Sequence, residues 1–117
     1  EGPLPRAVLD VAEVVRHARQ PFFQAIFDLE SPRMAVGRAA LLGDAAFVAR
    51  PHCGMGVTKA AGDAMALADA LRDTGNDIAA ALAQYEAQRR AVGVAVVGHG
   101  RELGAYLQGS ADAAAAR

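Results

Sequence analysis

The sequence predicts a mostly helical α+β or α/β fragment with two or three short strands. Three patterns predict it. Ile78, Leu82, Tyr85, Val92, Val96, Leu103 and Tyr106 recur three, four or seven residues apart, the spacing of one helix face. In Phe22 to Glu30, the residues Phe23, Ala25, Phe27 and Leu29 alternate with Phe22, Gln24, Ile26 and Asp28, the two-residue period of a strand. Ala39 to Leu42 is a short apolar run stopped by Gly43-Asp44, the profile of a buried strand.

The elements follow in order. Arg6 to Arg19 places Val8, Val11, Val14 or Val15 and Ala18 three or four apart, with Asp10, Glu13 and Arg16 between them, which reads as a short amphipathic helix. Pro21 ends it. The strand over Phe22 to Glu30 turns at Ser31-Pro32-Arg33, and the strand at Ala39 to Leu42 runs into a loop from Ala45 to Gly56 that holds one proline and two glycines. A helix then begins at Val57 and ends near Thr74-Gly75, where Gly75 suits a helix C-terminus. Asn76 or Asp77 caps a last helix of about 30 residues, roughly 45 Å. Gly93, Gly98, Gly100 and Gly104 each cost that helix up to about 1 kcal/mol against alanine, so a kink or a very close helix contact is expected there. The alanine-rich tail, residues 110–117, is expected to be disordered.

The 117 residues carry 12 Lys plus Arg against 13 Asp plus Glu, a formal net charge of -1, which argues against a nucleic acid or an anionic membrane held by bulk charge. Alanine supplies nearly half of the 53% hydrophobic content, so the side chains that can fill a core support one modest domain at most. The longest run without a charged residue, Ala91 to Gly100, is far short of the roughly 18 to 20 apolar residues of a membrane span. No integral membrane segment is expected. Glu1-Gly2-Pro3-Leu4-Pro5 lacks the basic and apolar regions of a signal peptide and does not begin with methionine, so the start reads as processed or excised. The single cysteine, Cys53, excludes an internal disulfide and a cysteine-only zinc site, and His17 and His99 have no partners at ligand spacing. No metal is expected, and cytoplasm is the default compartment.

Chemistry concentrates between Arg38 and Ala64. Gly43 permits a sharp turn off the strand, so that the carboxylate of Asp44 emerges at a sheet edge able to accept hydrogen bonds from a polyol. Gly54 and Gly56 leave bare backbone that a flat ligand can approach. Their N–H groups and those of Val57 and Thr58 start a helix, a place that stabilises negative charge. Pro51 fixes φ and, lacking an N–H, leaves carbonyls exposed around it.

The pattern Gly-Asp-Ala-Ala-x4-Pro-x2-Gly-x-Gly-x6-Asp-Ala, matched throughout from Gly43 to Ala64, resembles the second flavin-binding motif of the FAD-dependent aromatic hydroxylases, class A flavoprotein monooxygenases of the p-hydroxybenzoate hydroxylase type. The wider run resembles them too, in Pro21-Phe22-Phe23-Gln24, Asp28-Leu29-Glu30-Ser31-Pro32-Arg33-Met34 and Gln84-Tyr85-Glu86-Ala87-Gln88-Arg89. Within the family, Arg50-Pro51-His52 and Lys59 are most similar to the 2,6-dihydroxypyridine 3-hydroxylase subgroup.

By that resemblance the fold is the C-terminal part of a two-domain FAD monooxygenase: residues 1–34 form the edge of the substrate-binding domain, and 35–109 the C-terminal part of the FAD-binding domain with its closing helices. Asp44 would hydrogen-bond the ribityl chain of FAD, and Gly43 before it belongs to the same cofactor-binding set. Gly54, Gly56, Val57 and Thr58 would lie against the pyrimidine side of the flavin, with Met55 between them in the same cofactor-binding stretch. Their amides would stabilise the negative charge of the reduced ring. Pro51 would border the meeting of substrate and flavin, and His52 would be the histidine of the active site. The implied reaction uses NADH or NADPH to reduce FAD, forms a C4a-hydroperoxide with O2, and hydroxylates a small aromatic or heteroaromatic, phenol-like ring. A homodimer is allowed.

Two departures accompany the likeness. Phe47 stands where most members have His, and Thr58 where they have Asn, so side-chain contacts usual at those positions are in doubt while backbone contacts survive. The dinucleotide fingerprint Gly-x-Gly-x-x-Gly is not found; Gly98-His99-Gly100-Arg101-Glu102-Leu103 comes nearest, and no strand precedes it. The chain therefore resembles only the C-terminal third of such an enzyme and alone should not turn over. Asp63 is expected to be structural, Lys59 a solvated charge more often than a ligand contact, Cys53 structural, and His52 and Arg50 as readily exposed loop residues as substrate contacts. Two other readings stand beside the first: a non-enzymatic helical binding or dimerisation remnant, and another FAD oxidoreductase of the same fold such as a geranylgeranyl reductase or a halogenase.

Overall fold

The computed structural model describes residues 11–75 and 77–115. Its frame is a helical hairpin. Helix α1, Val11–His17, comes first, and the part of the expected first helix before Val11 lies outside the described residues. Four two-residue strands follow, β1 at Leu29–Glu30, β2 at Ala35–Val36, β3 at Ala39–Ala40 and β4 at Phe47–Val48, and then the hairpin of α2, Gly56–Asp73, and α3, Ile78–Ala115.

The hairpin turn is built as its residues dictate. Thr74 donates its hydroxyl hydrogen bond to Ala70 O at 2.9 Å, Gly75 takes φ +59°, and Asp77 Oδ1 accepts the Ala80 N–H at 3.1 Å as an N-cap. Asn76, the other candidate cap, lies outside the described residues. Alanines face each other across α2 and α3, with Ala70 and Ala81 fully buried, and Phe47, Tyr85, Met34 and Val97 fill the core where the strands meet the hairpin. The alanine-rich sequence thus gives close helix approach with few large core side chains. Helix α3 has 38 residues, longer than expected, and sets the 64 Å length of the molecule. It continues through 110–115, part of the segment expected to be disordered, which suits alanine's high helix propensity.

Three expectations need correction. The strand over Phe22 to Glu30 reduces to Leu29–Glu30, paired antiparallel as Leu29↔Val48 and Glu30↔Phe47; residues 21–28 have no regular structure. A strand exists only where a ladder partner exists, and among the described residues 21–28 have none. The side chains of Phe22 and Phe23 are 85% and 94% exposed. Ala39 to Leu42 is not a buried strand. Ala39–Ala40 forms a small antiparallel hairpin with Ala35–Val36 around Gly37-Arg38, one face open to solvent. Finally, the loop from Ala45 to Gly56 contains β4 and a 3₁₀ turn at Pro51–Cys53, and another 3₁₀ turn, Gly43–Ala45, leads into it.

The glycines of α3 mark close approach, as expected, but to the loop rather than to another helix. A Cβ on Gly93 would lie 2.4 Å from Phe47 Cδ2, and one on Gly104 would lie 2.7 Å from Arg50 Nη1, whereas one on Gly98 would meet nothing within 4 Å. Gly93→Ala should therefore destabilise by about 1–3 kcal/mol through overpacking. Gly98→Ala should stabilise by up to about 1 kcal/mol through helix propensity. Thermal unfolding of the two variants checks the contrast; equal midpoints would mean that Phe47 does not press on α3.

Candidate functional site

The site is assembled on the 43–58 segment, pinned at one end by α2 and in its middle by α3. At its start Gly43 is buried with φ +54°, a conformation glycine adopts without strain. Its peptide groups are clamped by α2. The Gly43 N–H donates to Asp63 Oδ2 at 3.0 Å, and Lys59 Nζ donates to Gly43 O at 2.9 Å and to Asp63 Oδ2 at 3.0 Å. Arg89 of α3 closes the cluster, its Nε donating to Asp63 Oδ1 at 2.8 Å. Burial by itself would raise the Asp63 carboxyl; the hydrogen bonds from Arg89, Lys59 and the Gly43 amide outweigh it and hold the group below its ordinary value. Asp63 is thus structural, as expected. Lys59 is not a solvated charge: its side chain is 2% exposed and lies 5.9 Å from the Phe47 ring centroid. The i,i+4 spacing of Lys59 and Asp63 on α2 was the signal for this, whereas the two residues read separately give a solvated charge at Lys59 and a structural role at Asp63.

Beyond the clamp, Asp44 is exposed, and its carboxylate has no hydrogen-bond partner among the described residues. At the far end of the segment, Gly54 takes φ +66° and α2 begins at Gly56 with Met55 as N-cap, no side chain bonding to the helix terminus and no acidic residue in the first turn. The first α-helical bond is Lys59 N–H to Met55 O, 2.9 Å, so the amides of Gly56, Val57 and Thr58 are left as outward donors on exposed residues. A carboxylate able to accept from hydroxyls and a helix terminus able to hold an anion are thereby presented by one pinned segment.

Between these ends, Arg50, Pro51 and His52 dock on α3. The carbonyl of Gly100 can only accept, so His52 Nε2, 2.9 Å away, carries a proton and donates it. Arg50 Nε reaches both carboxylate oxygens of Asp28 at 3.3 Å, Asp28 Oδ2 accepts from Arg101 Nε at 3.1 Å, and Arg101 Nη1 pairs with Glu30. Arg50 is therefore an ionic strap between β1, the loop and α3. Arg50 and His52 line an open cleft of about 420 Å³ with Ile26, Gly104, Leu107 and Gln108. These four gave no functional signal in the sequence, Gly104 reading only as a packing glycine. Pro51 is exposed beside the cleft, and Cys53 is half-buried with a free thiol.

Residues 28–99 match the family model of the FAD binding domain. The chain belongs to that family. It is similar to 2,6-dihydroxypyridine 3-monooxygenase of Paenarthrobacter nicotinovorans, 32% identical over 96 residues that are 82% of this chain and 24% of the relative. It is also similar to the FAD-dependent urate hydroxylase of Klebsiella pneumoniae, 49% identical over 65 residues, 55% of this chain and 17% of that protein. The solved structure of 2,6-dihydroxypyridine-3-hydroxylase from Arthrobacter nicotinovorans matches with a TM-score of 0.65 and 32% identity over 71% of this chain and 21% of that one. The resemblance to FAD-dependent aromatic hydroxylases is borne out, and the chain spans about a quarter, or less, of the length of the relatives it matches.

The chemistry of the segment is compatible with FAD, a cofactor that carries hydroxyls and a flat ring. Asp44 offers an acceptor with no competing partner among the described residues, and the α2 terminus offers uncapped donors. A Cβ on Gly54 or Gly56 would meet nothing of this chain within 4 Å, so a flat ring has room to approach. Among the described residues no helix is long and apolar enough to cross a membrane, and no cluster of His, Cys, Asp or Glu could hold a metal.

Proposed function

We propose that this chain is the flavin-ring portion, with closing helices, of an FAD- and NAD(P)H-dependent monooxygenase that hydroxylates a small aromatic or heteroaromatic, phenol-like ring. One observation supports it above the others. The Asp44 carboxylate, which has no partner among the described residues, and the uncapped N-terminus of α2 are offered by one segment whose start is locked by Lys59 and Asp63.

In this reading Gly43 and Asp44 receive the ribityl hydroxyls, while Gly54, Met55, Gly56, Val57 and Thr58 lie along the pyrimidine edge. The amides at the start of α2 stabilise negative charge on the ring without reorganising. Pro51 and His52 border the place where substrate meets the ring, and His52, held by Gly100 through Nε2, keeps Nδ1 to accept a proton from a substrate hydroxyl. Bound FAD, reduced by NADH or NADPH in the presence of O2, supplies the oxygen-transfer chemistry itself.

The test is Asp44→Ala in the complete protein. Losing an ionised acceptor to a bound ligand costs about 1.5–3 kcal/mol, so the Kd for FAD should rise about ten- to a hundredfold while the fold stays intact. FAD affinity equal to that of the unsubstituted protein would overturn the assignment. Substrate-triggered NAD(P)H oxidation yielding a hydroxylated ring then checks the reaction class.

A further inference from the structure

The clamp beneath Gly43 has an unbalanced charge. Lys59, Asp63 and Arg89 are bonded to one another with side chains 2%, 2% and 16% exposed, and only one of the three is acidic. Among the described residues no other carboxylate bonds to either cation. Tyr85, packed beside them with its hydroxyl donating to Leu41 O at 2.8 Å, is pushed up to about 12 by burial and stays neutral. Asp63 stays ionised, held low by its partners. The cluster therefore carries one positive charge in excess, largely shielded from solvent.

Its position gives that charge an object. Lys59 sits in the first turns of α2, where a long side chain points back toward the helix N-terminus. Its ammonium hydrogen-bonds the carbonyl of the Gly43–Asp44 peptide. The charge thus lies against the two features that flank the proposed flavin, the Asp44 turn and the α2 terminus, and its field adds to that of the helix dipole. Asp44, the nearest opposing charge in sequence, is exposed and screened by water, whereas buried charges are screened much less.

We propose that the Lys59–Asp63–Arg89 cluster sets the reduction potential of a flavin held by the Gly43–Thr58 segment, its excess positive charge favouring the anionic reduced ring. The inference rests on the FAD reading above. Hydride transfer from NADH or NADPH moves two electrons and one proton onto the neutral oxidised ring, breaks the donor's C–H bond, and leaves NAD(P)+ and a reduced ring with one negative charge. A fixed positive charge nearby stabilises that product over the oxidised ring, as preorganised electrostatics do at any site where charge develops.

The experiment is the midpoint potential of bound FAD in the complete protein, read from the flavin absorbance during slow reduction against a reference dye. Lys59→Met brings the cluster to zero charge, and the preference for binding reduced over oxidised flavin should fall about tenfold, about 30 mV for a two-electron couple. Arg89→Gln removes the same unit of charge from the other side and should shift the potential in the same direction, which keeps the test open if Lys59→Met does not load. Asp63→Asn adds a unit and should shift it upward. Lys59→Met combined with Asp63→Asn restores one positive charge and should return the potential close to its original value. A structural role would move every variant one way and the double variant furthest. Unchanged potentials in FAD-loaded Lys59→Met or Arg89→Gln, or a double variant no closer to the original than Lys59→Met, overturn the proposal. Failure of the unsubstituted complete protein to bind FAD would instead overturn the reading on which it rests.

Discussion

Gly56→Val in the complete protein should abolish FAD loading, raising the Kd by at least about a hundredfold, while moving the unfolding midpoint little. The reason lies in what surrounds Gly56. It is the first residue of α2, it is exposed, and a Cβ there would meet nothing within 4 Å. Its φ is not in the left-handed region, so valine fits the backbone at no more than a few tenths of a kcal/mol in helix propensity. The space is therefore empty of the described residues' atoms, and a branched side chain in it stands where a ligand would approach. Gly54→Val would be a poorer probe, since φ +66° strains any side chain whether or not a flavin is present. Equilibrium dialysis or flavin fluorescence against purified Gly56→Val reads the effect. Wild-type loading with the fold intact would mean that the ring does not approach the α2 terminus.

The helices and the loop motif were legible because each is written locally. Thr74-Gly75 and Asp77 carry the hairpin turn in their own side chains and backbone freedom, and the observed hydrogen bonds are the ones those residue types make. The turns of the 43–58 motif and the helix start that follows them were legible because glycine, proline and aspartate spacing encodes backbone geometry directly. What the sequence did not disclose depends on partners distant in the chain. Phe22 to Glu30 alternates correctly, yet only its last two residues find a ladder, on Phe47–Val48 inside what read as a loop. Periodicity states a preference for pairing, not the presence of a partner. Lys59 illustrates the same limit for charge. Its burial follows from Asp63 four residues on, Arg89 on the next helix and the Gly43 carbonyl sixteen residues back, and no single window contains all three. The Arg50–Asp28–Arg101 strap spans 73 residues from Asp28 to Arg101 and left no local trace.

The largest stability effect is expected at Asp63. Asp63→Ala removes the sole carboxylate from between two cations and strips the Gly43 N–H of its acceptor. Breaking a buried pair from one side costs about 3–5 kcal/mol because an uncompensated charge is left behind. That is a large share of the roughly 5–15 kcal/mol by which domains are stable. Lys59→Met should cost far less, since Asp63 keeps Arg89 and the Gly43 amide while an apolar chain of similar volume fills the space beside Phe47. The asymmetry separates a charge-balanced cluster from simple packing, because Asp63 has the smaller side chain and packing alone would rank the two the other way. Acid unfolding adds an independent check. The Asp63 carboxyl in the folded protein lies below its ordinary 3.8, so its contribution is fully present above that value and is lost as pH falls through the folded one. Asp28 and Glu86 are also held low, the former by Arg101 and Arg50 against the opposing effect of burial, the latter chiefly by the Met34 amide, so part of the acid dependence survives in any Asp63 variant. Denaturant titrations of the complete protein from neutral pH to about pH 3 should show stability falling with acid, and falling less steeply in Asp63→Ala. Parallel curves, or a loss under about 1 kcal/mol in Asp63→Ala at neutral pH, would mean that the carboxylate does not hold the clamp on which Asp44 stands.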